Sequence, residues 1–228
     1  MSYRLTKVLA GPFLHLLWRP RVSGVEHVPA TGGAIIASYH LSVLDTVLMP
    51  LVVPRPVTFV AKSESFTGTG LVDRLTSRLL RGAGQLSVDR TDRRAAQQAL
   101  EASLGVLEAG DLFGIYPEGT RSPDGRLYRG HTGVGWLALR AGVPVVPVAM
   151  HGTDQAMPPG RAVPRPMRIE VRFGPALSFE RYAGQAGSAR ARRAVTDEVM
   201  AAIQALSGQT VVPAYAPARE SPTAGRAR

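Results

Sequence analysis

Four short apolar runs recur along this chain: AIIAS (34–38), VTFVAKS (57–63), LFGIY (112–116) and VPVVPVAM (143–150). Each has the length of a buried strand and falls short of a helix of ordinary length. Between them lie patterns with helical period. Residues 92–110 start on Asp92 as an N-cap, carry an Ala96, Leu100, Leu104 and Leu107 stripe, and stop at Gly110. Residues 133–142 form a second short helix closing on Gly142, and a polar helix is expected over about 188–206. MRIEVRFG (167–174) alternates strictly, with Met167, Ile169, Val171 and Phe173 on one face. That is the pattern of a strand covered on one side only. Strands alternating with helices specify an α/β fold: a single domain with a mixed, mostly parallel central sheet flanked by helices. A length of 228 residues with 45% hydrophobic content suits one such core.

The N-terminal segment adds an amphipathic helical element. Over residues 3–18, Leu5, Val8, Leu9, Phe13, Leu16 and Leu17 recur at helical spacing with Arg4 and Lys7 opposite. Gly11-Pro12 is expected to break it into two pieces. Its longest charge-free stretch, Val8 to Trp18, is 11 residues, whereas a bilayer span needs about 20. The segment therefore packs in the core or lies in a membrane interface, and Trp18 with Arg19 and Arg21 favours the interface. The domain limits read from the chain are 1–21 for this membrane-associating segment, 22–206 for the folded α/β domain and 207–228 for a disordered Pro-, Ala-, Gly- and Arg-rich tail.

The formal charge is +10, and lysine supplies only Lys7 and Lys62 of the 27 basic residues, so the excess is arginine. Such a balance favours anionic partners. In 70–81, Leu71, Leu75 and Leu79 make one face and Arg74, Arg78 and Arg81 another, which suits either anionic headgroups or plain solvation. A nucleic-acid-binding module is disfavoured, because the arginines are dispersed, aromatics are 6%, and no nucleic-acid motif occurs. With no cysteine there is neither a disulfide framework nor a thiolate metal site.

The chemistry concentrates in two places. In SYHLSVLDTV (38–47), His40 stands in the loop after the first apolar run, at the carboxyl end of a strand where open α/β sheets keep their crevices. Ser42-x-x-Asp45 reads as a capping box, so Asp45 either caps a helix or reaches back to the imidazole, and one carboxylate can do both. No G-x-S-x-G elbow and no cysteine offers an acyl nucleophile, so a His40–Asp45 dyad implies a substrate that brings its own hydroxyl. In YPEGTRS (116–122), Pro117 ends a strand, Gly119 permits a tight turn, and Arg121 offers a fork suited to phosphate. Glu118 there is expected to orient Arg121 or a neighbouring base. Lys62 and Arg90 also stand at strand ends, which makes Lys62, Arg90 and Arg121 a candidate anion site. His131, His151 and His15 are read as structural, core or interfacial residues.

The ordered blocks HLSVLD, GQLSVDR, YPEGTRS and VPVVPVAM resemble those of the glycerolipid acyltransferases, particularly the 1-acylglycerol-3-phosphate acyltransferases. The resemblance covers roughly residues 22–155. It implies His40 as general base oriented by Asp45. It further implies Glu118, Gly119, Thr120 and Arg121 as the acceptor-binding block, with Lys62 and Arg90 as further phosphate contacts. Val146 and Pro147 match the fourth block, assigned to the acyl side or to structure. No metal or cofactor is implied; acyl-CoA or acyl-carrier protein is the co-substrate. A lysophospholipid, most simply 1-acyl-glycerol-3-phosphate, is the acceptor, and membrane lipids are the partner of a peripheral enzyme on the cytoplasmic face of the plasma membrane. Another lyso-lipid, a glycolipid or an amino-lipid is the alternative acceptor. The chain departs from the family at Tyr39, where Asn is usual, at KSES after Ala61, and at Leu86-Ser87-Val88. Tyr39 is expected to bear on acceptor choice.

Overall fold

The computed structural model describes residues 7, 11–12, 15–62, 86–88, 93–158 and 163–217. The strands are β1 (Arg21–Ser23), β2 (Ala34–Ser38), β3 (Val57–Lys62), β4 (Leu86–Val88), β5 (Leu112–Ile115), β6 (Leu127–Tyr128), β7 (Val145–His151), β8 (Glu170–Phe173) and β9 (Val211–Val212). The α-helices are α1 (Val43–Val52), α2 (Arg93–Glu108), α3 (Gly133–Ala141), α4 (Thr153–Ala156) and α5 (Ala189–Ser207). Seven strands form one sheet in the order β1-β8-β7-β2-β5-β3-β4. All neighbouring pairs are parallel except β7–β8. The mixed, mostly parallel α/β sheet expected from the apolar runs is thus the fold observed.

The composition of each strand follows its place. β2 is buried at every position, with Ala34 and Ile36 in the core on one face and Ile35 and Ala37 on the other. Such double-faced burial is why this strand is a continuous apolar run. α1 covers the first face through Leu44, Leu48 and Met49, while α2, α3 and α5 cover the second through Leu107, Leu137, Val195, Val199 and Ile203. In β8, Val171 and Phe173 are buried and Arg172 is exposed, as the alternation predicts. Val146 and Pro147 lie inside β7 opposite Ile36 and Ala37, so the fourth block is sheet core.

Because β2, β3, β5 and β7 run parallel, their carboxyl ends share one edge of the sheet. The loops beginning at Tyr39 and Tyr116, together with Lys62 at the end of β3, are gathered there. Gly114 makes this packing possible. A Cβ on it would sit 2.2 Å from the Phe59 ring, which lies across β5 at that position.

Three expectations need correction. Trp18 is not interfacial: it is 3% exposed within the first core cluster. Its indole Nε1 donates to the Arg165 carbonyl at 3.1 Å, satisfying the one polar atom of a large apolar ring. Gly11-Pro12, expected to break the helix, is itself helical. Lys7 donates from Nζ to the Val53 carbonyl at 2.7 Å, at the end of α1, and burial lowers its pKa. The expected disorder from residue 207 also fails over 208–217. β9 pairs in parallel with β6, Arg129 N–H donates to the Ala214 carbonyl at 2.9 Å, and Tyr215 stacks on His131 with centroids 4.6 Å apart. Its Pro-, Ala- and Gly-rich composition hid this arm, because its order comes from backbone pairing with a distant loop. The segment 63–85, with the predicted 70–81 helix, and residues 218–228 lie outside the described residues.

The arm predicts a measurable effect. Truncation after Ser207 removes the β6–β9 pairing and the Tyr215 stack. We expect a loss of about 2 kcal/mol and a fall in Tm of about 4–8 °C, from several backbone hydrogen bonds each worth about 0.5–1.5 kcal/mol. An unchanged thermal unfolding curve would show that the arm contributes nothing to stability.

Candidate active site

Ser42 is the N-cap of α1, with φ −137° and ψ 157°, and its capping box with Asp45 is formed. The box does more than cap. Asp45 is fully buried, and its Oδ2 accepts from the Leu41 and Ser42 amides, both at 2.8 Å. The same oxygen lies 2.9 Å from Nδ1 of His40. Both sequence readings of Asp45 therefore hold together: one oxygen caps the helix and fixes the imidazole. An ionised carboxylate only accepts, so this contact sets the proton on Nδ1 and, in the neutral imidazole, the lone pair on Nε2. The His40 side chain is 16% exposed.

The second block reaches the histidine from 78 residues away. Glu118 is 1% exposed; its Oε2 accepts from the His40 amide at 3.2 Å and its Oε1 from the Tyr128 amide at 2.8 Å. Ser122 N–H donates to the His40 carbonyl at 2.7 Å. The 116–122 turn thus grips the peptide groups on both sides of His40. Tyr116 adds its ring, stacked on the imidazole at 4.1 Å and 12°, and Phe59 stacks behind Tyr116 at 5.6 Å. Gly119, at φ 73°, closes the turn by donating its amide to the Tyr116 carbonyl at 3.0 Å. A side chain there would be strained in the left-handed region, and its Cβ would meet the His131 ring at 3.2 Å.

The sequence-derived residues fall as follows. His40, Asp45, Glu118 and Gly119 come together, with Thr120 and Arg121 half-buried in the same turn. Lys62 ends β3 at the same sheet edge. Arg90 lies outside the described residues. Glu118 was expected to orient Arg121 or a base; its Oε2 holds the amide of His40, the candidate base, and its Oε1 that of Tyr128. Tyr39, singled out for acceptor choice, is 2% exposed, and its hydroxyl donates to the Met150 carbonyl at 2.5 Å. Tyr116 and Ser122 were not singled out for the histidine. The signal available was the parallel pairing of two apolar runs, which brings both following loops to one edge.

Glu118 carries the clearest electrostatic signature. Burial pushes its pKa up to about 7 from 4.5, and the Asp45 charge adds to this; the Tyr128 and His40 amides pull the other way. The folded protein therefore holds this proton more tightly than the unfolded chain. That contribution to stability is complete below about 4.5 and is lost as pH rises through about 7. We predict that Glu118→Gln removes a stability difference on the order of 3 kcal/mol between those limits. Chemical denaturation at a series of pH values would expose the effect, and parallel wild-type and variant profiles would refute it.

A family model described as Acyltransferase matches residues 19–151 of this chain. Among curated proteins, the chain is 32% identical over 161 residues to the 1-acyl-sn-glycerol-3-phosphate acyltransferase of Limnanthes douglasii, covering 70% of this chain and 55% of that protein. It is 32% identical over 181 residues to the protein of the same name from Pseudomonas aeruginosa, covering 77% of this chain and 63% of the relative. The chain spans about half the length of the Limnanthes relatives it matches. Among solved structures, the 1-acyl-sn-glycerophosphate (LPA) acyltransferase PlsC of Thermotoga maritima superposes with a TM-score of 0.68 at 24% identity, covering 90% of this chain and 78% of that one. At that identity the superposition speaks for the fold.

Proposed function

The chain belongs to the acyltransferase family, and from that premise we propose that it transfers a fatty acyl group to the free hydroxyl of 1-acyl-glycerol-3-phosphate, giving phosphatidic acid. The donor is acyl-CoA or acyl-carrier protein. The observation that carries this reading is the 2.9 Å contact between His40 Nδ1 and the buried Asp45 carboxylate, on a loop held from both sides by the 116–122 turn. Nε2 takes the proton of the acceptor hydroxyl as its oxygen attacks the thioester carbonyl. The new ester C–O bond forms, the C–S bond breaks, and the proton passes from the imidazolium to the departing thiolate. Asp45 steadies the imidazolium in between. The activity for which the relatives are named supports the acceptor, and Arg121 in the gripping turn suits its phosphate. The enzyme would act as a peripheral protein on the cytoplasmic face of the plasma membrane. No helix among the described residues is long and apolar enough to cross a bilayer.

A thioester-release assay over a panel of lyso-lipid acceptors tests this. Arg121→Ala should lower kcat/KM about 10–100-fold for the phosphorylated acceptor, the equivalent of one charge-assisted hydrogen bond of about 1.5–3 kcal/mol. It should leave any uncharged acceptor unaffected. Equal losses on both would remove Arg121 from phosphate binding. Faster turnover of a glycolipid or amino-lipid by the wild type would move the substrate away from lysophosphatidic acid.

A further inference from the structure

The segment 163–172 runs beside the end of the N-terminal segment. Trp18 accepts at its carbonyl from the Ile169 amide at 3.0 Å, and Arg21 N–H donates to the Ile169 carbonyl at 2.8 Å. β1 continues this contact along β8, with Arg21 opposite Glu170 and Ser23 opposite Arg172. The resulting strip combines two kinds of surface. Leu16 and Val163 are 72% and 71% exposed, among the most exposed of the large hydrophobic residues described. Around them, Arg19, Arg21, Arg165, Arg168 and Arg172 are all exposed. The carboxylate among them, Glu170, is held by Arg172 through two hydrogen bonds of 2.9 Å. Arg19, Arg165 and Arg168 form no ion pair with a described carboxylate, and Arg21 only acts on Glu170 at longer range.

We infer that residues 163–168, together with 15–21, form a docking face for an anionic lipid bilayer. Exposed aliphatic side chains on the same segments as exposed arginines with no ion pair to a described carboxylate match an acidic headgroup layer over acyl chains. Trp18, the residue that seemed to mark the interface, instead pins the two segments together from inside the core. The face also connects to the active site. Arg165 N–H donates to the Ala156 carbonyl at 2.7 Å, and Ser42 Oγ donates to the Met157 carbonyl at 3.1 Å. Docking here sets the bilayer against the segment that touches the cap of α1, beside His40. The inference rests on surface chemistry alone, so vesicle binding without substrates tests it separately from acyl transfer.

The experiment is co-sedimentation of the full chain with vesicles of phosphatidylcholine, with and without phosphatidylglycerol. Arg165→Glu/Arg168→Glu should weaken binding to the anionic vesicles by at least about tenfold, and raised salt should narrow the gap to wild type. The bond to Trp18 uses the Arg165 carbonyl, so the substitution leaves it in place; Val163→Asp, expected to weaken binding several-fold, probes the apolar half independently. Acyl transfer to acceptor in detergent micelles should be unchanged in both variants. Undiminished binding by both variants overturns the inference. So does equal wild-type binding to vesicles with and without phosphatidylglycerol, or binding to random duplex DNA but not to vesicles.

Discussion

His40→Ala is expected to lower acyl transfer by about 10²–10⁴-fold, the usual contribution of a positioned general base. The residue is well placed for a clean test. Asp45 Oδ2 keeps its bonds to the Leu41 and Ser42 amides when the imidazole is removed, so the capping box of α1 survives. The grip of Glu118 and Ser122 acts on the His40 peptide groups and also survives the substitution. What is lost is Nε2 and the ring stacked on Tyr116. Turnover should therefore collapse while Tm stays within a few degrees of wild type. Thioester release at the wild-type rate would remove His40 from the chemistry altogether.

Asp45→Asn should damage both activity and stability. A neutral amide oxygen in place of Oδ2 can still accept from the two amides, but it no longer stabilises a charged imidazolium. The comparable change in a serine protease triad costs about 10⁴-fold in kcat, and we expect about 10³–10⁴ here. The amide nitrogen would occupy the place of Oδ1, which is buried and has no hydrogen-bond partner. A donor stranded there costs about 1–3 kcal/mol, which thermal unfolding should register as a fall in Tm of several degrees. The pair of variants separates the two duties of this carboxylate. If Asp45→Asn lost stability but kept its turnover, Asp45 would be a cap and nothing more.

The two blocks around His40 were legible to different depths, and the reason is sequence separation. Ser42 and Asp45 are three residues apart, and their capping box is local helix chemistry, readable from residue types alone. Glu118 and Ser122 meet His40 across the gap between two strands. No period or spacing in the chain announces which backbone groups a distant carboxylate will hold. The family's blocks pointed to Glu118 as an acceptor residue; its geometry adds a hold on the histidine's backbone. Tyr39 followed the same logic in reverse. As a departure from a motif it looked like an acceptor determinant, yet its hydroxyl is taken up by β7.

The apolar runs, the alternation in β8, the capping box and the strand-end placement of His40 all followed from local rules of burial and hydrogen bonding. Those rules act over a few residues and leave a trace in residue order. The burial of Trp18, the order of 208–217, the hold of the 116–122 turn on His40 and the strip of arginines joining 15–21 to 163–172 were decided only when distant segments packed. Each rests on partners far apart in the chain, and the energy of such a contact depends on geometry that residue order does not carry.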